Sequence, residues 1–295
     1  MTTTAAVPVK TFTKVLIATD FGQEADRALA YAKSIVRASD GELLLVHVAE
    51  PVPHINIPEG GWVDDPRRPQ REIDQTDAAG AALRAEGFRA MALCPFGSVP
   101  EELAETARNR DTNLVVVGTH GRQGLPRIFF GSHAERIADA LRIPILIVGP
   151  KAPPRPSSLW KPKNILCTTS LDRNGANLVA YAYKLAKEHD AHLEIAYRDV
   201  AEEKRDYEDW LTFKKAVKDL LPFEDGAKPH LHAVFLEEPE SESLVQTAIA
   251  RGVDLLILGI RHKFLEWPTL RVGGIMPQLL AEAPCPLLVI PTRAS

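Results

Sequence analysis

The sequence is a tandem duplication, and this constrains the fold more than any other feature of the chain. Runs in the first part return in the same order in the second part: residues 14–20 as 164–170, 30–32 as 180–182, 43–47 as 193–197, and 140–148 as 282–290. The 295 residues are enough for two domains of ordinary size. We therefore expect two copies of one folding unit.

The boundary between the two copies is a proline-rich segment, residues 150–162, which reads PKAPPRPSSLWKP. Proline cannot sustain helix or ladder hydrogen bonds, so the segment should be extended and semi-rigid. The prediction is a linker rather than a core element. It places one domain over residues 1–150, the linker over 151–162 and a second domain over 163–295.

Within the first copy, short runs of β-branched residues or leucine alternate with segments of helical periodicity. The pattern predicts strands over 14–19, 42–48, 88–94, 113–118 and 144–149, and helices over 23–38, 71–86, 100–110 and 132–141. Strands that alternate with helices form parallel sheets, which are covered on both faces. The predicted fold class is therefore α/β.

A glycine pattern follows the fourth predicted strand. Gly118-Thr119-His120-Gly121 is followed by nine residues and then by Gly131-Ser132. Glycines at a strand end let the backbone approach a ligand closely, and a helix that begins at Ser132 directs free N–H groups and its positive dipole end at an anion. The pattern predicts a phosphate site.

This stretch, GTHGRQGLPRIFFGS, resembles the nucleotide-binding signature of the universal stress protein family, with matched spacing. The resemblance implies ATP, with Mg²⁺, as the ligand. It also implies two tandem doubly wound α/β domains, each a five-stranded parallel sheet in the order 3-2-1-4-5 with helices on both faces. In that order strands 1 and 4 are neighbours, so Asp20 and Gly118 at their ends meet at the topological switch point.

The resemblance assigns the phosphate side of the site to the signature itself. Gly121, Gly131 and the N–H of Ser132 would form the phosphate cradle. Ser132 also begins a capping box, which is a purely structural alternative. Arg122 would add positive charge or lie solvated at the surface, and His133 would contact a phosphate or only occupy the first helical turn.

The base and ribose side is assigned to the ends of the neighbouring strands. Asp20 matches the acidic position of the family and would contact ribose or adenine; the alternative is that it caps the helix over 23–38. Val48 resembles the family residue whose main chain meets adenine. Val117 and Ala18 would line the same base pocket.

The second copy departs from the signature. Gly259 is retained, but His262 stands at the second glycine position, Val272 stands where the next glycine is expected, and Ser170 replaces Asp20. A side chain at residue 262 obstructs the backbone approach that phosphate requires. We expect one ATP site, in the first copy, and a structural role for the second.

A long connection and a histidine pair are the other candidates for function. The connection over residues 50–70 is too long for an ordinary loop between a strand and a helix. It is a candidate cover for the ligand, or for a partner protein through Trp62. His230 and His232 alternate along a predicted strand, but no third residue with metal-site spacing accompanies them, so no metal site is expected.

The chain offers no recognisable set of catalytic residues. It has no Gly-x4-Gly-Lys-Ser/Thr loop, no kinase motif set and no identifiable nucleophile–base pair. The expectation is an ATP-binding stress-response protein that acts as a regulator or scaffold, with slow ATP hydrolysis at most. A nucleotide-free interaction or small-ligand scaffold is the chief alternative.

Composition places the chain among ordinary globular proteins. Hydrophobic residues make up 45% and charged residues 25%, and the net charge of -4 argues against a nucleic-acid partner. Cys94, Cys167 and Cys285 are expected as free, buried thiols in a reducing cytoplasm, with no export signal and no membrane span. The expected partners are ATP, a second copy in a homodimer, and an unidentified protein. Pairing of two copies along strand 144–149 would resemble the family.

Overall fold

The computed structural model describes residues 11–50, 68–119, 143–156, 159–169, 173–197, 215, 231–235, 240–261 and 275–292. The described elements of the first half are β1 (Lys14–Ala18), α1 (Gln23–Ser39), β2 (Glu42–Val46), α2 (Arg68–Ala85), β3 (Ala90–Leu93), α3 (Val99–Asn109), β4 (Leu114–Gly118) and β5 (Ile145–Val148). Those of the second half are β6 (Asn164–Thr169), α4 (Arg173–His189), β7 (His192–Tyr197), β8 (Leu231–Phe235), α5 (Glu240–Ala250), β9 (Leu255–Arg261), α6 (Ile275–Glu282) and β10 (Leu287–Thr292).

The first half follows the predicted alternation of strands and helices to within a few residues at each boundary. The largest difference is in α2, which begins at Arg68 and so takes up the end of the long connection over residues 50–70. The helix predicted over 132–141 and residues 51–67 of the connection, with Trp62, lie outside the described residues.

The strands form one sheet of ten, in the order β3-β2-β1-β4-β5-β10-β9-β6-β7-β8. Each half therefore has the predicted order 3-2-1-4-5 with parallel neighbours, and the α/β fold class is confirmed. The two half-sheets join because β5 pairs antiparallel with β10, with Leu146 opposite Leu288. The edge of β5 was a candidate for pairing between the two chains of a homodimer. In this structure β10 of the same chain occupies that edge.

Burial on both faces explains why the central strands are uniformly apolar. Val115, Val116 and Val117 are each at most 1% exposed, although their side chains alternate between the two faces of the sheet. One face packs against α1, whose buried residues include Ala28 and Ile35, and the other face packs against α3. Helices on both faces leave only the ends of the strands open to ligands.

The proline-rich segment between the halves contributes two hydrophobic residues to the core. Ala152 is 2% exposed and Trp160 is 5% exposed, and both belong to the apolar cluster that covers the α1 face of the sheet. The hydroxyl of Tyr31 donates to the carbonyl of Pro153 at 3.1 Å, and Arg27 donates to the carbonyl of Pro150 at 2.9 Å. Ala152 and Trp160 of the segment predicted as a linker therefore contribute to the core, in a cluster that also contains strand residues of both halves.

An aromatic cluster ties the two halves together near the start of β1. The ring centroids of Phe12 and Trp160 are 5.8 Å apart, and Trp160 meets His189, at the end of α4, edge-on at 5.1 Å. Beside this cluster the backbone N–H of Thr11 donates to both carboxylate oxygens of Glu188 at 3.2 Å. These contacts therefore join residues of the first half, the connecting segment and the second half.

Burial of His189 makes stability depend on pH. Burial lowers the pKa of His189 below its ordinary value, Lys161 and Lys163 act in the same direction, and Glu188 opposes them. A histidine whose pKa is lower in the folded state stabilises above its unfolded pKa and loses that contribution as pH falls. We therefore expect the free energy of unfolding to decline below pH of about 6.5.

Urea unfolding of wild type and of His189→Phe between pH 8 and pH 5 measures this effect. The phenylalanine keeps an aromatic ring against Trp160 but cannot take up a proton. The decline between pH 6.5 and 5 should be smaller in the variant, which isolates His189 from the other titrating groups. Identical pH profiles would show that His189 does not carry the effect.

The three cysteines are free thiols, as expected from the sequence. Cys167 and Cys285 are buried, and burial raises the pKa of the Cys285 thiol to about 12. Cys94 is only half-buried. Within the described part of the chain, none of the helices combines the length and apolar character that crossing a bilayer requires.

Candidate functional site

The ends of β1 and β4 lie side by side, at the point where the order of the strands in the sheet changes direction. Ile17 and Val116 form the last pair of the matched run, and Ala18 and Val117 follow them. From β1 the chain continues to β2 on one side, whereas β5 lies on the other side of β4. Open α/β sheets bind ligands at such a switch point. The predicted Asp20 and Gly118 both belong to this edge.

The residues predicted to line a base pocket are brought together in one apolar cluster. Ala18, Val48 and Val117 all pack in the cluster on the α3 face of the sheet. Each is buried, with Val117 at 1% exposure. They form a buried apolar surface at this end of the sheet.

Asp20 lies in a tight turn between β1 and α1. Its Oδ1 accepts a hydrogen bond from the N–H of Gly22 at 2.9 Å, and the hydroxyl oxygen of Thr19 accepts one from the N–H of Phe21 at 2.9 Å. Such bonds from residue i to i+2 are typical of turns formed by Asp and Thr. The N-cap of α1 is Gly22, whose N–H donates to Asp20, so Asp20 also supports the start of the helix from two residues before it.

Phe21 holds an unusual backbone conformation in this turn. Its φ is 59°, in the left-handed region that costs a residue with a side chain about 1–2 kcal/mol. Its ring packs against His47, with ring centroids 4.9 Å apart and planes tilted by 42°. Phe21 was not among the predicted site residues, because nothing in a Thr-Asp-Phe-Gly run indicates a positive φ at phenylalanine.

His47 connects the end of β2 to the same turn. Its Nδ1 lies 2.8 Å from the carbonyl oxygen of Thr19. A carbonyl oxygen only accepts, so Nδ1 must carry the proton in this contact. The backbone N–H of Thr19 in turn donates to the carbonyl of Val46 at 2.9 Å. The segments that follow β1 and β2 are therefore joined by main-chain and side-chain bonds.

The backbone of Val48 faces the crevice. The N–H of His47 donates to Leu93 at 3.0 Å and the N–H of Ala49 donates to Pro95 at 2.9 Å, so the residues on either side of Val48 bond toward β3. Backbone groups alternate in direction along an extended chain, and those of Val48 point the other way. They point past the end of β1, where Asp20 lies.

Gly118 serves the packing of α1. A Cβ at this position would lie 2.5 Å from the carbonyl oxygen of Glu24 in the first turn of α1. A contact under 3 Å with backbone is not tolerated, so the absence of a side chain lets helix and strand approach each other. Beyond Gly118, the N–H of Thr119 still donates to the carbonyl of Val148 at 3.2 Å.

The remaining predicted site residues lie outside the described residues: Gly121, Arg122, Gly131, Ser132 and His133. The described residues at this edge are those predicted for the base and ribose side, together with Gly118 and Thr119 at the start of the glycine pattern.

The corresponding edge of the second half is built differently. β9 does not end at Gly259 but continues to Arg261, and Gly259, Ile260 and Arg261 pair with Ile290, Pro291 and Thr292 of β10. In the first half β4 ends at Gly118, opposite Val148. Where β4 leaves the sheet, β9 remains in it. Ser170, His230, His262 and Val272 lie outside the described residues.

Both halves of the chain match one protein family. Residues 11–149 and residues 161–291 each match the Universal stress protein family. A universal stress protein of Thermus aquaticus is 30% identical over 137 residues, which are 46% of this chain and 98% of the relative. A universal stress protein of Methanocaldococcus jannaschii is 28% identical over 139 residues, 46% of this chain and 82% of the relative.

A solved structure resembles the chain over both halves. The crystal structure of a universal stress protein from Archaeoglobus fulgidus has a TM-score of 0.64 with this chain, at 16% identity, and covers 94% of this chain and 96% of that one. Two doubly wound halves that share one sheet, with a crevice at a switch point, define a tandem α/β protein. With both halves matched, the chain belongs to the universal stress protein family.

Proposed function

We propose that this protein binds ATP, with Mg²⁺, in the crevice between the ends of β1 and β4 of the first half. The bound nucleotide would make it a nucleotide-dependent regulator or scaffold in a stress response. The observation that carries the proposal is the spacing Gly-x2-Gly-x9-Gly-Ser, which begins at the last residue of a buried strand beside Asp20. That combination supplies backbone N–H groups for phosphate at the ligand-binding edge of the fold.

Val48, Ala18, Val117 and Asp20 would hold the base and ribose of ATP. The N–H and C=O of Val48 can pair with the ring nitrogen and amino group of adenine. Ala18 and Val117 would form the apolar surface on which the adenine ring lies. Asp20 offers a carboxylate to the ribose hydroxyls.

The glycine signature would supply the phosphate contacts. Gly121, Gly131 and the N–H of Ser132 would bind the phosphates, and Arg122 and His133 would add positive charge. The described residues hold no cluster of three His, Cys, Asp or Glu side chains. Mg²⁺ would accordingly be held chiefly by the phosphates it arrives with.

One site per chain is part of the proposal. The ladder that carries β9 on to Arg261 occupies the backbone where a phosphate-binding turn would begin, and the sequence places His262 next. The second half would then serve as support for the first, through the shared sheet and the Trp160 cluster.

The proposal also covers the setting of the protein. We place it in the cytoplasm on its free thiols, and we propose a homodimer and a further protein partner by analogy with the family. A homodimer would have to use a surface other than the edge of β5, since β10 occupies that edge.

The substitution Asp20→Asn tests the ribose contact. Asparagine keeps an oxygen that accepts from the N–H of Gly22, so the turn should persist while the negative charge is lost. We expect the affinity for ATP to fall about 10- to 100-fold, the equivalent of a hydrogen bond to a charged group. A fluorescent ATP analogue and its displacement by ATP measure the loss.

Asp26→Asn is the matched control, because Asp26 is exposed in the first turn of α1 and changes the net charge equally. Equal loss in both variants would point to general electrostatics and contradict a specific contact. ATP turnover that survives stringent purification and disappears in Asp20→Ala would identify an ATPase. A tightly bound compound other than a nucleotide in the purified protein would favour the scaffold alternative.

A further inference from the structure

The turn after β1 and the segment after β2 are held together by two neighbouring contacts. The Nδ1 of His47 donates to the carbonyl of Thr19 at 2.8 Å, and the ring of His47 packs on the ring of Phe21 at 4.9 Å. From these contacts we infer that His47 and Phe21 are positioning residues of the site: they set the distance between Asp20 and the main chain of Val48. This inference rests on the proposed function.

The sequence positions of His47 and Phe21 explain which neighbouring residues they can hold in place. His47 immediately precedes Val48, and Phe21 immediately follows Asp20. A bond and a ring contact between His47 and the turn therefore fix the two residues next to them relative to each other. Asp20 and Val48 are the residues that would contact ribose and base, which are joined in a nucleoside by one bond, so their separation must match a rigid ligand.

The backbone of Phe21 supplies an independent observation. A phenylalanine with φ of 59° is strained, and a glycine or asparagine would adopt this conformation more easily. Strained residues persist where the surrounding structure holds them, and they concentrate at ligand-binding sites. The consecutive bonds from Phe21 N–H to Thr19 and from Gly22 N–H to Asp20 hold this turn. The strained backbone directs the ring of Phe21 toward His47.

The position of the donor on the ring allows a sharp test. An asparagine at residue 47 places an amide N–H where Nδ1 lies, whereas a glutamine places it nearer to Nε2. His47→Asn should therefore keep the bond to Thr19, and His47→Gln should lose it. We expect His47→Gln to weaken ATP binding about tenfold and His47→Asn to stay within about threefold of wild type.

Comparison of ligands separates positioning from a general loss of structure. Inorganic tripolyphosphate contacts the phosphate side only, so its binding should be equal in wild type, His47→Gln and His47→Asn. Phe21→Asn, which keeps a left-handed backbone but lacks the ring, should like His47→Asn lose only the ring contact, weaken ATP binding by no more than about threefold and leave tripolyphosphate binding unchanged. Equal losses for both ligands, or no difference between the two His47 variants, would overturn the inference.

A measurement without nucleotide distinguishes failure of this inference from failure of the proposed function. Amide hydrogen exchange of ligand-free wild type should show slower exchange over the turn at residues 20–22 than in His47→Gln, with His47→Asn close to wild type. If wild type binds no ATP, the proposed function fails whatever the exchange shows. If exchange over the turn is the same in all three proteins, the pair does not hold it and the inference fails alone.

Discussion

Replacement of Trp160 with alanine should lower the free energy of unfolding by about 3–5 kcal/mol, the cost of removing a buried large aromatic side chain. Trp160 is 5% exposed and contacts both Phe12 of the first half and His189 of the second. Its loss removes apolar burial and opens a cavity at the place where the two halves meet. Urea unfolding followed by tryptophan fluorescence and by circular dichroism measures the change.

Leu159→Ala is the matched control, one residue away in the same segment. Leu159 is 52% exposed, so its truncation should change stability by no more than about 0.5 kcal/mol. Similar small effects for Leu159→Ala and Trp160→Ala would mean that the proline-rich segment is a linker after all. Because the sheet is continuous across both halves, we also expect the two probes to report one transition in wild type.

Gly118→Ala should affect stability and ATP binding together. The added Cβ would stand 2.5 Å from the carbonyl oxygen of Glu24, and backbone must move to admit it. Overpacking of this kind costs about 1–3 kcal/mol. The displaced element is the first turn of α1, which follows the Asp20 turn directly, so the ribose contact should weaken as well. Urea unfolding and ATP titration of the same preparation test both effects.

The second half offers the control for this substitution. Gly259 occupies the corresponding position on β9 but is exposed, whereas Gly118 is buried. Alanine in place of glycine within a strand reduces the entropy lost on folding, so Gly259→Ala should be neutral or slightly stabilising. Equal destabilisation by both substitutions would show that strand conformation, and not the contact with α1, requires glycine at residue 118.

The order of elements could be predicted from the sequence because each signal is local and occurs twice. Strands buried on both faces are uniformly apolar, as in residues 114–117, and the helices show their periodicity within one element. The edge of the sheet that carries Asp20 and Gly118 followed from the strand order that the family resemblance implied. The placement of these two residues at the switch point could therefore be predicted.

Features that depend on contacts between distant residues could not be predicted. The apolar run of β5 does not encode that its partner is β10 of the same chain, because any apolar edge strand would suit it. The proline-rich composition around Trp160 indicates an extended segment but not what covers it. The left-handed backbone of Phe21 is explained by the contact of its ring with His47, a residue that is remote in sequence.

Calorimetric titration of ATP with Mg²⁺ into wild type and into Gly121→Asp tests the central claim most directly. The aspartate would repel phosphate and block the approach of the backbone, without altering any residue of the base and ribose side. The account predicts one site per chain in wild type, freed of copurified nucleotide, and no binding in Gly121→Asp. Absence of binding to wild type, two equivalent sites, or unchanged binding to Gly121→Asp would contradict it.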